Sequence, residues 1–206
     1  MNIDFQKIGI NIDPYVGIHY EKGLPKLGKT LFLSNSTYDT NPDHFGLTQD
    51  QLLNLNRDNV IWNVNHRDEE PSLEYFRQIE RIIALLIEQE PFKRIILYNF
   101  IQNSILGNGS DTANLNDFRN SLSAFRHLLE ELKPNTVICC SSTVSRFLSR
   151  SENRDSFTIQ NSTFSSSTIE CRWIQILHPS NRRKRGSKYI EDSNERISMY
   201  LGEDQR

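Results

Sequence analysis

The chain comprises 206 residues, 36% of them hydrophobic and 24% charged, with a formal net charge of −2. This length suits a single domain with a core of useful size, and charge so nearly balanced leaves any attraction for a polyanion to a local patch. No apolar run reaches the ~18 residues of a membrane span, and Met1 to Gln6 lack the basic and apolar stretches of a secretory leader, so a soluble cytoplasmic protein without membrane contact is expected.

The first readable pattern, Asn11-Ile12-Asp13-Pro14-Tyr15, has no convincing apolar strand before it. It is read as an N-terminal segment that packs on the domain, with Asp13 as a reserve carboxylate. Lys29 to Leu33 follows a Pro25/Gly28 turn and ends in Ser-Asn-Ser, which marks a buried strand feeding a polar loop. Thr48 with Gln51 forms a capping-box signature for a short helix through about Leu55. Pro71 and Ser72 open a long helix to about Gln89, with Leu73, Phe76, Ile79, Ile83, Leu86 and Ile87 on one side and Pro91 as its stop.

Arg94 to Asn99 is the second predicted strand. A helix from about Asp117 to Lys133 carries Phe118, Leu122, Phe125, Leu129 and Leu132 at helical spacing, and Pro134 ends it. Thr136 to Cys140 is the third strand, Ser142 to Ser149 a short helix, and Arg172 to Leu177 the fourth strand. Ser151 to Thr168, rich in serine and asparagine, is read as an extended loop or a weak edge hairpin. A last helix from about Lys188 to Leu201 offers Tyr189, Ile197, Tyr200 and Leu201 as apolar contacts. Strands alternating with helices predict an α/β fold: a three-layer α/β/α sandwich around a central, mainly parallel four-stranded sheet.

Three of the four strands end in groups suited to chemistry: Asn35, Ser36 and Tyr38 after the first, Asn99 at the end of the second, and His178 after the last. In open α/β sheets ligands bind beyond the carboxyl ends of strands, so these loops are expected to meet at one crevice. Behind His178-Pro179-Ser180 come Arg182, Arg183, Lys184, Arg185 and Lys188, with no acidic residue between Glu170 and Glu191. Such focused positive charge suits contact with a phosphodiester backbone. Cys139, Cys140 and Cys171 include no Cys-x-x-C and fall short of a four-thiolate site, so buried thiols are expected. His19, His44, His66 and His127 show no metal-ligand spacing, and no metal or cofactor is expected.

The loop Ser34-Asn35-Ser36-Thr37-Tyr38-Asp39, Asn99 at a strand end and His178-Pro179-Ser180 at another, in that order, resemble the uracil-DNA glycosylase-like superfamily. Pro14-Tyr15-Val16-Gly17, Tyr98-Asn99-Phe100-Ile101-Gln102 and Leu132-Lys133-Pro134 resemble a divergent bacterial branch of it. The resemblance implies a DNA glycosylase that flips a pyrimidine nucleotide and hydrolyses its N-glycosidic bond, in DNA repair or in anti-phage defence, where some members excise hypermodified pyrimidines.

It further implies that His178 donates to O2 of the departing base and that Asn99 reads the base's Watson–Crick edge. Tyr38 would limit bulk at C5, and Ser180 with the basic loop would contact DNA. Apart from the resemblance, Phe45 and Phe100 are alternative candidates to stack on the base, and the sequence does not choose between them. The chain departs from the family at the first loop. Ser36 stands where the best-known members carry a catalytic aspartate, Ser34 where they carry glycine, and Asn35 where the divergent branch carries glutamate. Neutral Asn35 and Ser36 hold a water by hydrogen bonds without supplying charge, and Asp39 is the nearest carboxylate. A monomer acting on DNA is expected. The competing readings are a noncatalytic nucleic-acid-binding protein of the same fold and a hydrolase of free nucleotides.

Overall fold

The computed structural model describes residues 3–36, 38–39, 42–69, 73–87, 90–103, 105–106, 113–150, 158–160, 163–166, 168–176 and 187–203. Its strands are β1 (Tyr15–Val16), β2 (Thr30–Ser34), β3 (Tyr38–Asp39), β4 (Ile95–Asn99), β5 (Ile105–Leu106), β6 (Thr136–Cys139), β7 (Thr158–Gln160), β8 (Thr163–Ser165) and β9 (Glu170–Gln175). Its α-helices are α1 (Gln49–Asn56), α2 (Asn59–Asn65), α3 (Glu74–Ala84), α4 (Leu115–Leu132), α5 (Ser142–Leu148) and α6 (Ser187–Glu203).

The α/β class agrees with the sequence, but the sheet is larger than the four-stranded one expected. Seven strands pair in the order β1-β4-β2-β6-β9-β8-β7. The middle four, β4, β2, β6 and β9, run parallel. Antiparallel strands close both edges: β1 on β4, and the β8–β7 hairpin on β9. The described residues within Ser151 to Thr168, Thr158–Gln160 and Thr163–Ser165, thus pair as an edge hairpin, one of the two forms expected for that segment. The two-residue β1 eluded the sequence reading because so short a strand carries no periodicity.

Strand alternation divides the core between two faces. Leu31, Leu33, Ile96, Tyr98, Val137, Cys139 and Trp173 point to one, where α4 lays down Phe118, Phe125, Leu128 and Leu129 and α5 adds Val144 and Phe147. Phe32, Ile95, Leu97, Ile138, Cys140, Ile174 and Ile176 point to the other, against Val60 and Val64 of α2, Ile79, Ile82 and Ile83 of α3, and Ile197 of α6. Fully burying one such side chain contributes about 1.5–3 kcal/mol, so each helix is held mainly by its apolar stripe.

Local signals set the helix ends. Thr48 and Gln51 complete the capping box expected for α1. Asn114 and Asp117 form a second one, which starts α4 at Leu115 and places the expected Asp117 start inside the first turn. Helix α3 is shorter than the helix expected over Pro71 to Gln89. Arg67, just past α2, grips it through a two-pronged pair with Glu80, Nε to Oε2 at 3.0 Å and Nη2 to Oε1 at 2.6 Å. Gly17 is obligatory after β1, because a Cβ there would meet the Phe92 and Lys93 carbonyl oxygens at 2.4 Å. No helix among the described residues is long and apolar enough to cross a membrane.

Candidate functional site

The strand order decides where a ligand can enter. Of the four parallel strands, the second in sequence, β4, lies on one side of the first, β2, while β6 and β9 lie on the other. The winding reverses between β2 and β6, so the connections leave toward opposite faces and open a crevice beyond the carboxyl ends. Ser34 at the end of β2 with Asn35-Ser36 beyond it, and Cys140-Ser141 after β6, border it.

The first loop and Asn99 are brought side by side by pairing that outlasts the strands. Ser34 faces Asn99 in the β2–β4 register. Beyond it, Phe100 N–H donates to Ser34 O (3.1 Å) and Ile101 N–H donates to Asn35 O (2.8 Å). Further out, Tyr38 pairs with Ile105 and Asp39 with Leu106 in a separate two-stranded parallel sheet. The sequence-predicted residues Asn35, Tyr38 and Asp39 thus travel with Asn99 and the chain that follows it. Ser36 Oγ is buried without a hydrogen-bond partner among the described residues.

By alternation Ser34 and Asn99 share the face of Phe32 and Leu97, which is covered by α2, α3 and α6. There the Tyr75 hydroxyl, from the first turn of α3, hydrogen-bonds Ser34 Oγ and also reaches the Cys140 thiol. Sequence reading missed Tyr75, since an aromatic residue at a helix start carries no signal of the strand end it will meet. Burial raises the thiols, Cys139 and Cys171 to about 12 and Cys140 higher still, so all three stay protonated and inert.

Gln102 ties a third segment to this end of the sheet. It is 4% exposed. Its Oε1 accepts from the backbone N–H groups of Asn11 and Ile12, both at 3.0 Å, while its Nε2 donates to Asn99 O at 2.6 Å. Its own N–H donates to Ser121 Oγ (3.0 Å) on α4. The segment Asn11 to Tyr15 therefore packs on the domain as expected, at the level of Asn99. Asp13 N–H donates to Arg57 O (3.0 Å) at the α1–α2 junction, and Asp13 Oδ1 is buried without a partner among the described residues. Burial first, then the Asp58 charge, raises the Asp13 carboxyl above its ordinary value of 3.8, while Arg57 opposes them.

The two candidate stacking residues separate cleanly. Phe100 is fully buried, with ring centroids 5.4 Å from Phe125 and 6.0 Å from Phe147. It is a core residue, which corrects its candidacy. Phe45 is 55% exposed in the turn before α1 and is free to meet a ligand. His127 Nδ1 lies 3.0 Å from Ile8 O and so fastens the N-terminal 3-10 turn onto α4.

His178, Ser180, Arg182, Arg183, Lys184 and Arg185 lie outside the described residues. The chain leading to them does not: Ile176 N–H donates to Cys139 O (3.0 Å). It therefore departs the sheet beside β6, at the same end as Ser34 and Asn99. Among the described residues no three His, Cys, Asp or Glu side chains converge as a metal site would require. Comparison of the sequence with protein-family models and with curated proteins finds no match.

Proposed function

We propose that this protein is a DNA glycosylase of the uracil-DNA glycosylase-like superfamily, which flips a modified pyrimidine nucleotide and hydrolyses its N-glycosidic bond to leave an abasic site. The observation that carries this reading is the joint arrival of the Ser34–Asp39 loop and Asn99 at one carboxyl end of a parallel sheet, with the chain to His178 leaving the same end. The four parallel strands with helices on both faces are read as the core of that fold.

In this reading Asn99 pairs with the base edge, since an amide offers one donor and one acceptor. Tyr38 and the exposed Phe45 bound the base, and Asn35, Ser36 or Asp39 handle the attacking water. His178 donates to the departing base, where one preorganised donor contributes about 3 kcal/mol. Ser180, Arg182, Arg183, Lys184 and Arg185 hold the DNA backbone. The protein acts as a cytoplasmic monomer, in defence against modified phage DNA or in repair.

The test is incubation with oligonucleotides that carry uracil, 5-hydroxymethyluracil, 5-hydroxymethylcytosine or glucosylated pyrimidines, with freed bases identified by mass spectrometry. Base release that His178→Ala slows by about 100-fold or more, with DNA affinity retained, supports the reading. The uncharged pair Asn35 and Ser36 favours a second reading, binding without hydrolysis. Tight DNA binding without release from any substrate selects it.

A further inference from the structure

We propose that Asp13, delivered by the N-terminal segment rather than by the first loop, is the catalytic carboxylate that faces the sugar of the flipped nucleotide. This rests on the glycosylase reading and names the group which the loop after β2 lacks. Three observations place Asp13 beside the Asn99 end of β4. Gln102 fastens the residues just before it, Asn11 and Ile12, at the level of Asn99. The Asp13 N–H bond to Arg57 O and the burial of Ile12 in the core under α2 and α3 put it on the face that carries Ser34 and Asn99. Asp13 is half-buried, and one of its two carboxylate oxygens, Oδ1, is held out of water with no hydrogen-bond partner among the described residues.

A desolvated carboxylate oxygen without a donor is costly to keep in a fold. An unpaired buried oxygen of this kind calls for a partner, and beside a strand-end crevice the cationic sugar of a bound nucleotide is one that fits. Pro14 adds rigidity, since the residue before a proline is confined to extended backbone. In the proposed step the C1′–N bond breaks and its electron pair leaves on the base, while a water oxygen bonds to C1′. Asp13 balances the positive charge on the sugar and takes the proton that the water loses. The departing base takes up a proton from solvent, and Asp13 returns its own to solvent afterward.

The charged groups that act on Asp13 are Arg57 and Asp58 from the α1–α2 junction and Asp4 from the N-terminal segment. Burial, Asp58 and Asp4 raise the carboxyl and Arg57 lowers it. Excision should therefore fall as pH drops through a value above 3.8, the ordinary aspartate position, and that limb should vanish in Asp13→Asn.

The experiment has two arms. Single-turnover excision should slow by about 100-fold or more in Asp13→Asn and much less in Asp39→Asn. In a binding assay, the wild type should hold DNA with a cationic pyrrolidine abasic analogue about tenfold more tightly than DNA with neutral tetrahydrofuran, and Asp13→Asn should lose that preference. Thermal unfolding of Asp13→Asn at or above the wild-type midpoint excludes misfolding as the cause. If Asp13→Asn excises at the wild-type rate while Asp39→Asn does not, the inference is overturned and the glycosylase reading stands. If the wild type frees no base and shows no preference for the cationic analogue, both fall.

Discussion

Replacing Gln102 with methionine keeps the side-chain length and removes both amide atoms, so it isolates the clamp between Asn11–Ile12 and β4. Two N–H groups lose their acceptor and the Asn99 carbonyl loses its donor, whereas the bond from Gln102 N–H to Ser121 Oγ survives. Ile12 is 1% exposed, so its orphaned N–H costs about 2 kcal/mol, and the more accessible Asn11 N–H and Asn99 carbonyl cost about 1 kcal/mol each. Burial of the thioether chain returns about 1 kcal/mol. The net loss is about 3 kcal/mol, which for a chain of this size lowers the melting temperature by roughly 9 °C. Circular dichroism against temperature measures it, with urea midpoints as a check that the m-value is unchanged. A fall of less than about 2 °C would show that this amide does not hold the N-terminal segment in solution.

Three further outcomes are expected. Asn99→Asp exchanges a donor for an acceptor, so single-turnover excision should fall much more for a uracil-type edge than for a cytosine-type edge with the same C5 substituent. One common factor across the panel would refute base reading by Asn99. Neutralising Arg182, Arg183, Lys184 and Arg185 together should weaken DNA binding across sequences and flatten the salt dependence by nearly one unit per lost contact; an unchanged slope would remove this loop from the DNA edge. Cys139, Cys140 and Cys171 should resist an aromatic disulfide reagent until the protein unfolds. Because burial raises their folded values, their share of stability is whole below the ordinary thiol value of 9.0 and is lost as pH climbs from there toward about 12. Alkaline urea titrations follow this, and rising stability over that window would contradict it.

Much of the scaffold was legible because its elements are long enough to show a period. Phe118 to Leu132 marked α4, and the apolar runs through Leu31, Ile96 and Val137 marked the parallel strands that run beneath helices on both faces. Helix α2 was not legible. Asn59-Val-Ile-Trp-Asn-Val-Asn65 is made of weak helix formers, and only the seating of Val60 and Val64 against the sheet specifies it. The site divides the same way. Asn35, Ser36 and Asn99 were visible as polar strand ends, whereas Tyr75 and Gln102 act through partners 41 and 91 residues away in sequence. Gln102 carries no sequence signal of its own, and nothing in its neighbours' identity announces two backbone N–H groups coming from Asn11 and Ile12.

Strand β1 also imposes a timetable on synthesis. Tyr15 pairs with Leu97, and Asn11 waits for Gln102, so the segment that carries Asp13 leaves the ribosome long before anything exists for it to bind. At 5–20 residues per second the interval is roughly 4 to 16 s. Throughout it, β2 too lacks both parallel neighbours, β4 and β6. The N-terminal segment thus docks on a strand made later, and this edge of the sheet closes only once β4 has left the ribosome. A ribosome stalled before Gln102 emerges should leave Asn11–Val16 open to protease, and one stalled well past it should not.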